Sequence, residues 1–270
     1  MSQREIDDRL QAARRFARDA GNLVMRYFAE GVPADRKADD SPVTRADREA
    51  EWLLREAIQK AFPGDGVLGE EHGEIEGTSP YRWILDPIDG TKSFISGVPL
   101  FGTLIGVQRD GESVLGVIEL PALDKRIHAA TGQGAWWQEG MGELRRAHVS
   151  TTPTLADGFY VTSEVRSFQK RSASIVHQQL EEASWYARTW GDCYGYFLVA
   201  TGRATVMVDP ALHVWDAAAL LPVITEAGGA YTDWAGEPST TSGDGVGSNG
   251  LVHAEVLAIT RPFARRPHLH

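Results

Sequence analysis

Residues 83–94 read WILDPIDGTKSF, an apolar strand that runs straight into one aspartate and meets a second three positions later. Asp86 precedes a proline, which holds its backbone extended and away from helix, so its side chain is expected at the sheet's end. Pro87 and Ile88 then turn the chain and bring Asp89 back to the same side. Gly90 permits close backbone approach, and Thr91 begins a helix whose free amides point at an anion. Two carboxylates this close repel unless a cation sits between them. Taken alone, DxxDG is more often a solvated Asp-Gly turn, so the rest of the chain must supply further ligands.

Other acids fall in suitable places. Glu70 and Glu71 end a second expected strand, VLGEE. Asp216, in HVWDAAALLPVITEAGG, lies in the first turn of an expected helix, where an aspartate also complements the dipole. Asp47 lies on the polar side of the second expected helix. Each has an ordinary surface or capping explanation by itself. Together, acids that end strands and open helices are what a site of hard cations with oxygen ligands requires.

The spacing rules out several alternatives. Ile88 occupies the third position of what would be an EF-hand loop, where an acid or amide is needed. Two residues separate the aspartates instead of one, which disfavours the DxDxT chemistry of aspartyl-phosphate phosphatases. There is no GxxxxGK[ST] phosphate loop and no GxSxG nucleophile elbow. The single cysteine, Cys193, has no recognisable catalytic setting and excludes an internal disulfide, which fits a reducing, cytoplasmic location. The charged N-terminus lacks a signal-peptide core, and no apolar run approaches the ~20 residues of a membrane span. With 27 basic and 37 acidic residues the net charge is −10, so neither nucleic acid nor a membrane is expected as a partner.

The 270 residues, 42% of them apolar, suffice for a large core. Apolar residues at Ile6, Leu10, Ala13, Ala17, Ala20, Val24 and Tyr27 predict one amphipathic helix stopped at Gly31. A polar link at 33–43 leads to a second helix over 44–61, burying Ala50, Leu53, Leu54, Ala57 and Ile58 and broken by PGDG at 63–66. LFGTLIGVQ and SVLGVIEL form a hairpin about RDGE, and RIHAAT and GAWWQ extend the sheet. After STTPTLADG at 150–158 the pattern alternates: strand FYVTS, helix 167–182, helix 193–201, strand ATVMVDP, helix 215–227 closed by Gly228-Gly229. This predicts a layered α/β protein of two intimate domains, residues 1–148 with most metal ligands and 149–260 with substrate-recognition residues, and a frayed tail, 261–270.

In order along the chain, SPVTRAD at 41–47, GEE at 69–71, DPIDGT at 86–91, WDAAALLPVITEAGG at 215–229 and GSNG at 247–250 resemble the inositol monophosphatase family of magnesium-dependent, lithium-sensitive phosphatases. The resemblance covers nearly the whole chain. It implies an αβαβα sandwich and a homodimer. It further implies two to three Mg²⁺ ions held by Glu70, Asp86, Asp89, Asp216 and the Ile88 carbonyl, with Asp47 at the weakest site. Glu70 and Thr91 would activate the attacking water, and the amides of Gly90 and Thr91 would hold phosphate oxygens. The substrate would then be a small phosphomonoester, hydrolysed by metal-activated water in line with the leaving alkoxide.

Residues 188–210, RTWGDCYGYFLVATGRATVMVDP, look more like the histidinol-phosphatase branch of that family. Asp192 and Asp209 are two carboxylates expected beside the leaving group, which suits a cationic alcohol such as histidinol better than a neutral polyol. Asp192 is alternatively the N-cap of the helix that follows it. Arg188 is a third candidate substrate contact. Inositol-1-monophosphatase or a broad sugar-phosphate phosphatase is the alternative, and a non-catalytic binding protein on the same scaffold the remote one.

Overall fold

The computed structural model describes residues 3–37 and 42–264. Ser41, the first residue of the SPVTRAD motif, and residues 265–270 of the expected tail lie outside the described residues. Five layers alternate helix and sheet, as the resemblance implies. The two long helices, Gln3–Glu30 and Arg45–Ala61, form the first layer. Ile6, Leu10, Ala13, Ala17, Ala20 and Val24 are buried on the first helix, and the Gly31 N–H closes it on the Tyr27 carbonyl at 3.0 Å. Arg9 fixes that helix to the sheet beneath through two 2.8 Å bonds to Asp65, which also accepts from the Trp83 indole and the Ser79 hydroxyl.

The second layer is an eight-stranded sheet. Its spatial order is Arg145–Arg146, Gly134–Glu139, Lys125–Ala130, Glu112–Leu120, Gly102–Arg109, Tyr81–Asp89, Gly66–Gly69 and Gly73–Ile75. All neighbours are antiparallel except the parallel pair Gly66–Gly69 with Tyr81–Asp89. Helices Cys193–Ala200 and Leu220–Glu226 cover its other face and are shared with a five-stranded mixed sheet. That sheet runs Tyr186–Arg188, Phe159–Val161, Val206–Asp209, Gly245–Ser248, Ala230–Thr232. Helices Val165–Lys170, Ser174–Ala183 and His253–Thr260 close the last layer around Tyr160, Phe168, Val206 and Trp234. No described helix is long and apolar enough to cross a membrane.

Three expectations are corrected. The polar link at 33–43 contains an antiparallel ribbon, Ala34–Arg36 against Pro42–Thr44. The helix expected over 167–182 breaks at Arg171–Ala173, where Ser172 has φ +60°. The break lets Arg171 reach inward to Asp244 at 2.6 Å and to the carbonyls of Pro210 and Phe263, each at 2.9 Å. The helix expected over 215–227 divides into Val214–Ala217 and Leu220–Glu226. Pro222 explains the division: it has no N–H for the Ala218 carbonyl, and its ring would crowd that carbonyl.

The break also seats this segment on the large sheet. Gly106 and Gly116 pair across neighbouring strands beneath Ala218 and Ala219. A Cβ at Gly106 would lie 2.7 Å from the Ala218 methyl, and one at Gly116 would run into the Ala219 carbonyl. The turn that carries Asp216 therefore rests on bare backbone. Gly116→Ala should cost about 1–3 kcal/mol by overpacking, lowering Tm by roughly 2–10 °C, and reduce activity through displacement of Asp216. A melt and a turnover rate equal to wild type would show that the helix yields without consequence.

Candidate active site

The two aspartates of DPIDG come together through a β-bulge. Asp86 pairs with Leu104 and Asp89 with Gly102, so Pro87 and Ile88 together oppose Thr103. In a regular strand, residues three apart face opposite sides; the extra residue returns Asp89 to the side of Asp86. A tight turn at Pro87-Ile88 was the expectation; the strand instead continues through both. The Thr103 hydroxyl closes the bulge on the Pro87 carbonyl at 2.8 Å.

Asp216 joins them from the other half of the chain. One oxygen from each of Asp86, Asp89 and Asp216 lies within 4.8 Å of the others. Each acid is held by a backbone donor: Asp86 by the Ile88 N–H at 3.1 Å, Asp89 by the Cys193 N–H at 2.5 Å, and Asp216 by the His213 N–H at 2.6 Å. Burial and the charges of Glu70, Asp89 and Asp216 push the Asp86 carboxyl well above its usual range. Burial, Asp192 and Asp216 do the same to Asp89. Asp216 rises to about 7, again from burial, with Glu70 adding to it against the His213 hydrogen bond. Such a cluster keeps its charges only around a cation. An all-oxygen donor set of this kind fits a hard divalent ion.

Glu70 faces the same hollow, which is also lined by Ile88, Gly90, Thr91, His213 and Trp215. Its carboxylate receives the Lys37 ammonium at 2.6 Å, and Lys37 also bonds Glu71 at 2.5 Å. Lys37, at the end of the first ribbon strand, is a site residue that sequence reasoning missed; a lone lysine in a polar link carries no signal. Glu51 was missed too. Fully buried, it accepts from Arg55 at 2.7 Å and from the backbone N–H groups of Glu71 and His72 at 2.7 and 3.0 Å. Asp47, expected on a polar face, is buried, and Thr44 donates to it through backbone and hydroxyl at 2.7 and 2.5 Å. Burial raises its carboxyl above the usual range, and the charge of Glu70 adds to that.

Gly90 opens the short helix Thr91–Ile95 with φ +88°, and the Thr91 hydroxyl donates to the Ile88 carbonyl at 3.1 Å. A Cβ at Gly90 would meet the Asp192 Oδ2 and the Leu100 carbonyl at 3.0 Å each. Beyond Gly90 the cleft extends along Lys92, Ser163, Glu164, Asp192, Tyr196 and Asp209. Asp192 occupies the N-cap position of Cys193–Ala200 but makes no capping bond; Asp89, from the other half, takes the first amide instead. Asp209 is buried under the Ser163 N–H at 3.0 Å, the Tyr196 hydroxyl at 3.1 Å and the Thr162 hydroxyl at 3.4 Å. Burial, with Asp192 nearby, lifts its carboxyl to about 6. Arg188 does not enter this cleft. It is not among the residues that line it; it is exposed at the end of the edge strand Tyr186–Arg188, where it donates to the Ala187 carbonyl at 2.7 Å. The Cys193 thiol is pushed well up by burial and by Asp89, which keeps it protonated.

The family model described as the inositol monophosphatase family matches residues 5–264. The chain belongs to that family. A histidinol-phosphatase of Chlorobaculum parvum is 39% identical over 92% of this chain and 95% of its own. A histidinol-phosphatase of Mycobacterium tuberculosis is 38% identical over 93% and 96%. An inositol monophosphatase from Zymomonas mobilis superposes with a TM-score of 0.82, covering 96% of this chain and 99% of its own at 31% identity. The chain is a phosphomonoester hydrolase, and it carries the acidic cluster typical of these magnesium-dependent enzymes.

Glu51→Ala should strip the buried Arg55 of its charge partner and two backbone donors of their acceptor. The expected loss is about 3–5 kcal/mol, read as a lower urea midpoint, with Glu70 displaced and turnover reduced. An unchanged midpoint would remove Glu51 as the support of the Glu70–Glu71 segment.

Proposed function

We propose that the protein is a magnesium-dependent histidinol-phosphatase, releasing L-histidinol and phosphate. The observation that carries this reading is one cleft with two walls: Asp86, Asp89 and Asp216 on one, and Asp192 with Asp209 on the other. The first wall suits a phosphate held through cations. The second suits a positively charged leaving group. The names borne by the relatives at 38–39% identity support the same substrate. The inositol monophosphatase from Zymomonas mobilis, at 31% identity, favours the alternative, an inositol-1-monophosphatase or broad sugar-phosphate phosphatase.

In this reading Glu70, Asp86, Asp89, Asp216 and the Ile88 carbonyl would hold two to three Mg²⁺ ions, with Asp47 at the weakest site. Bound there, magnesium would neutralise phosphate charge and acidify a water molecule. Glu70 and Thr91 would orient that attacking water and Glu70 would accept its proton, with Lys37 holding the carboxylate in place. The backbone N–H groups of Gly90 and Thr91 bind phosphate oxygens, and the positive φ of Gly90 lets the ester approach the backbone. Asp192 faces the leaving group, with Asp209 behind it. Arg188 would contribute only from outside the cleft.

We place the enzyme in the cytoplasm as a homodimer, with residues 1–148 and 149–260 as its two domains. Among the described residues no strand pairs with the outer edge of Tyr186–Arg188, which is flanked by exposed Trp185 and Trp190, a surface that a second copy would cover.

Two measurements test the function. Phosphate release from histidinol phosphate should exceed that from inositol 1-phosphate at least tenfold in kcat/KM. EDTA and Asp86→Asn should each abolish it, because a neutral amide cannot replace a bridging carboxylate. Turnover that survives EDTA would sink the metal mechanism; a higher kcat/KM on inositol 1-phosphate would favour the alternative. Asp192→Asn should reduce kcat/KM on histidinol phosphate about 10- to 100-fold and on inositol 1-phosphate far less. Equal losses on the two esters would remove Asp192 from leaving-group recognition.

A further inference from the structure

Glu164 is a carboxylate in the cleft with no role so far. It precedes the helix Val165–Lys170. One of its oxygens lies 3.0 Å from the Lys92 ammonium, and the other accepts from the Ser167 hydroxyl at 3.0 Å. Lys92 follows Thr91 directly, on the phosphate side. Glu164 adjoins Ser163, which with Asp192 and Asp209 lines the cleft beyond Gly90, so the ion pair joins the segment after Thr91 to the segment of the second half that lines the same cleft.

The two walls differ in which charges are available. The Lys92 and Glu164 side chains are 63% and 36% exposed. Asp209 is 2% exposed, and three internal donors already occupy its two oxygens. Burial raises the Glu164 carboxyl, but the bonds from Lys92 and Ser167 outweigh this and hold it below its usual value. Glu164 is therefore charged and reachable, whereas Asp209 is buried and its oxygens are already engaged.

We infer that Glu164 receives the ammonium of an amino-bearing phosphate ester, releasing Lys92 to the phosphate as the ester enters. This rests on the reading of the substrate as a cationic alcohol phosphate and names the residue that recognises it. An ester carrying a dianion at one end and an ammonium at the other gives each member of the ion pair a new opposite charge. A neutral polyol phosphate gives one only to Lys92. Glu164 is then left unpaired beside Asp192, so the resting pair disfavours neutral esters as well as favouring cationic ones.

The test compares histidinol phosphate with glycerol 2-phosphate in wild type, Glu164→Gln and Lys92→Gln. Glu164→Gln should reduce the preference in KM for histidinol phosphate over glycerol 2-phosphate about 10- to 100-fold, part of it through a lower KM for glycerol 2-phosphate, because Lys92 is set free. Lys92→Gln should shift KM for both esters by a similar factor, because each loses the same lysine–phosphate contact and neither has a resting pair to break. Glu164→Asp should keep part of the preference. Equal factors on the two esters with Glu164→Gln overturn the inference. If Glu164→Gln fails to fold, Glu164→Asp is read instead, and equal factors on the two esters with it overturn the inference. A wild type that prefers inositol 1-phosphate sinks the histidinol-phosphate reading separately. Glu164 is then judged on O-phosphoethanolamine against glycerol 2-phosphate, and equal factors on that pair reject it.

Discussion

Mutual repulsion among Asp86, Asp89 and Asp216 is the constraint to which the surrounding structure is fitted. Two like charges about 4 Å apart repel by about 4 kcal/mol at the effective dielectric near a protein surface. A domain is stable by only about 5–15 kcal/mol in total. Side chains on flexible loops would splay apart. Here each carboxylate is fixed by a backbone N–H from a different device: the bulge at Ile88, the opening amide of Cys193–Ala200, and the capping box at His213. Backbone donors need no side-chain ordering, so the acids stay together and a cation finds its ligands in place. The Asp89–Cys193 bond also joins the large sheet to the helix layer behind it, so the site and the interlayer packing depend on one contact.

The same logic continues outward. Glu70 and Glu71 add two more acids to this end of the sheet, and Lys37 lies between them. Behind them Glu51 gathers two backbone amides and Arg55 with no exposure to solvent. A buried pair of this kind is costly to assemble and more costly to break, so its value is geometric. It sets the direction in which the strand Gly66–Gly69 delivers Glu70. Arg9 and Asp65 do the same further back, where they fix the first helix over Trp83 and hence over the strand that carries Asp86.

The elements that hold this site were legible where the cause is local. The acids at the strand end, the second helix opening at Thr44 and the hairpin about RDGE all follow from periodicity and turn chemistry within a few residues. The helix break before Pro222 was equally local, and it was missed because the apolar pattern of 215–227 continues across it. What stayed hidden depends on partners far along the chain. The bulge shows only in the pairing of Pro87 and Ile88 with Thr103. Glu51 reads as one more acid on a charged helix until the 71–72 backbone lies against it, and the break at Arg171 makes sense only with Asp244 present. Asp192 reads in the sequence as a leaving-group contact or, alternatively, as a helix cap; it stands at the cap position without a capping bond, and the Cys193 amide is taken by Asp89, 104 residues before Cys193.

The charge of the cleft separates a cluster drawn from both halves of the chain, Asp86 and Asp89 with Asp216, from the acids that line the cleft beyond it. A protein of net charge −10 does not attract a phosphate dianion at long range. Among the described residues that line the cleft the lysines are Lys37 and Lys92, and each is already tied to a glutamate. Both lysines are paired before an ester enters, so cations at the acidic cluster, as in the magnesium-dependent family, would supply the first attraction for phosphate whatever the ester. Glu164, Asp192 and Asp209 take no part in the three-carboxylate cluster, to which the second half contributes Asp216. They can change with the leaving alcohol while the bulge, the capping box and the Cys193 amide remain. A family that shares one hydrolytic centre can in this way serve both cationic and neutral alcohols, with the choice made by the charges on the facing wall.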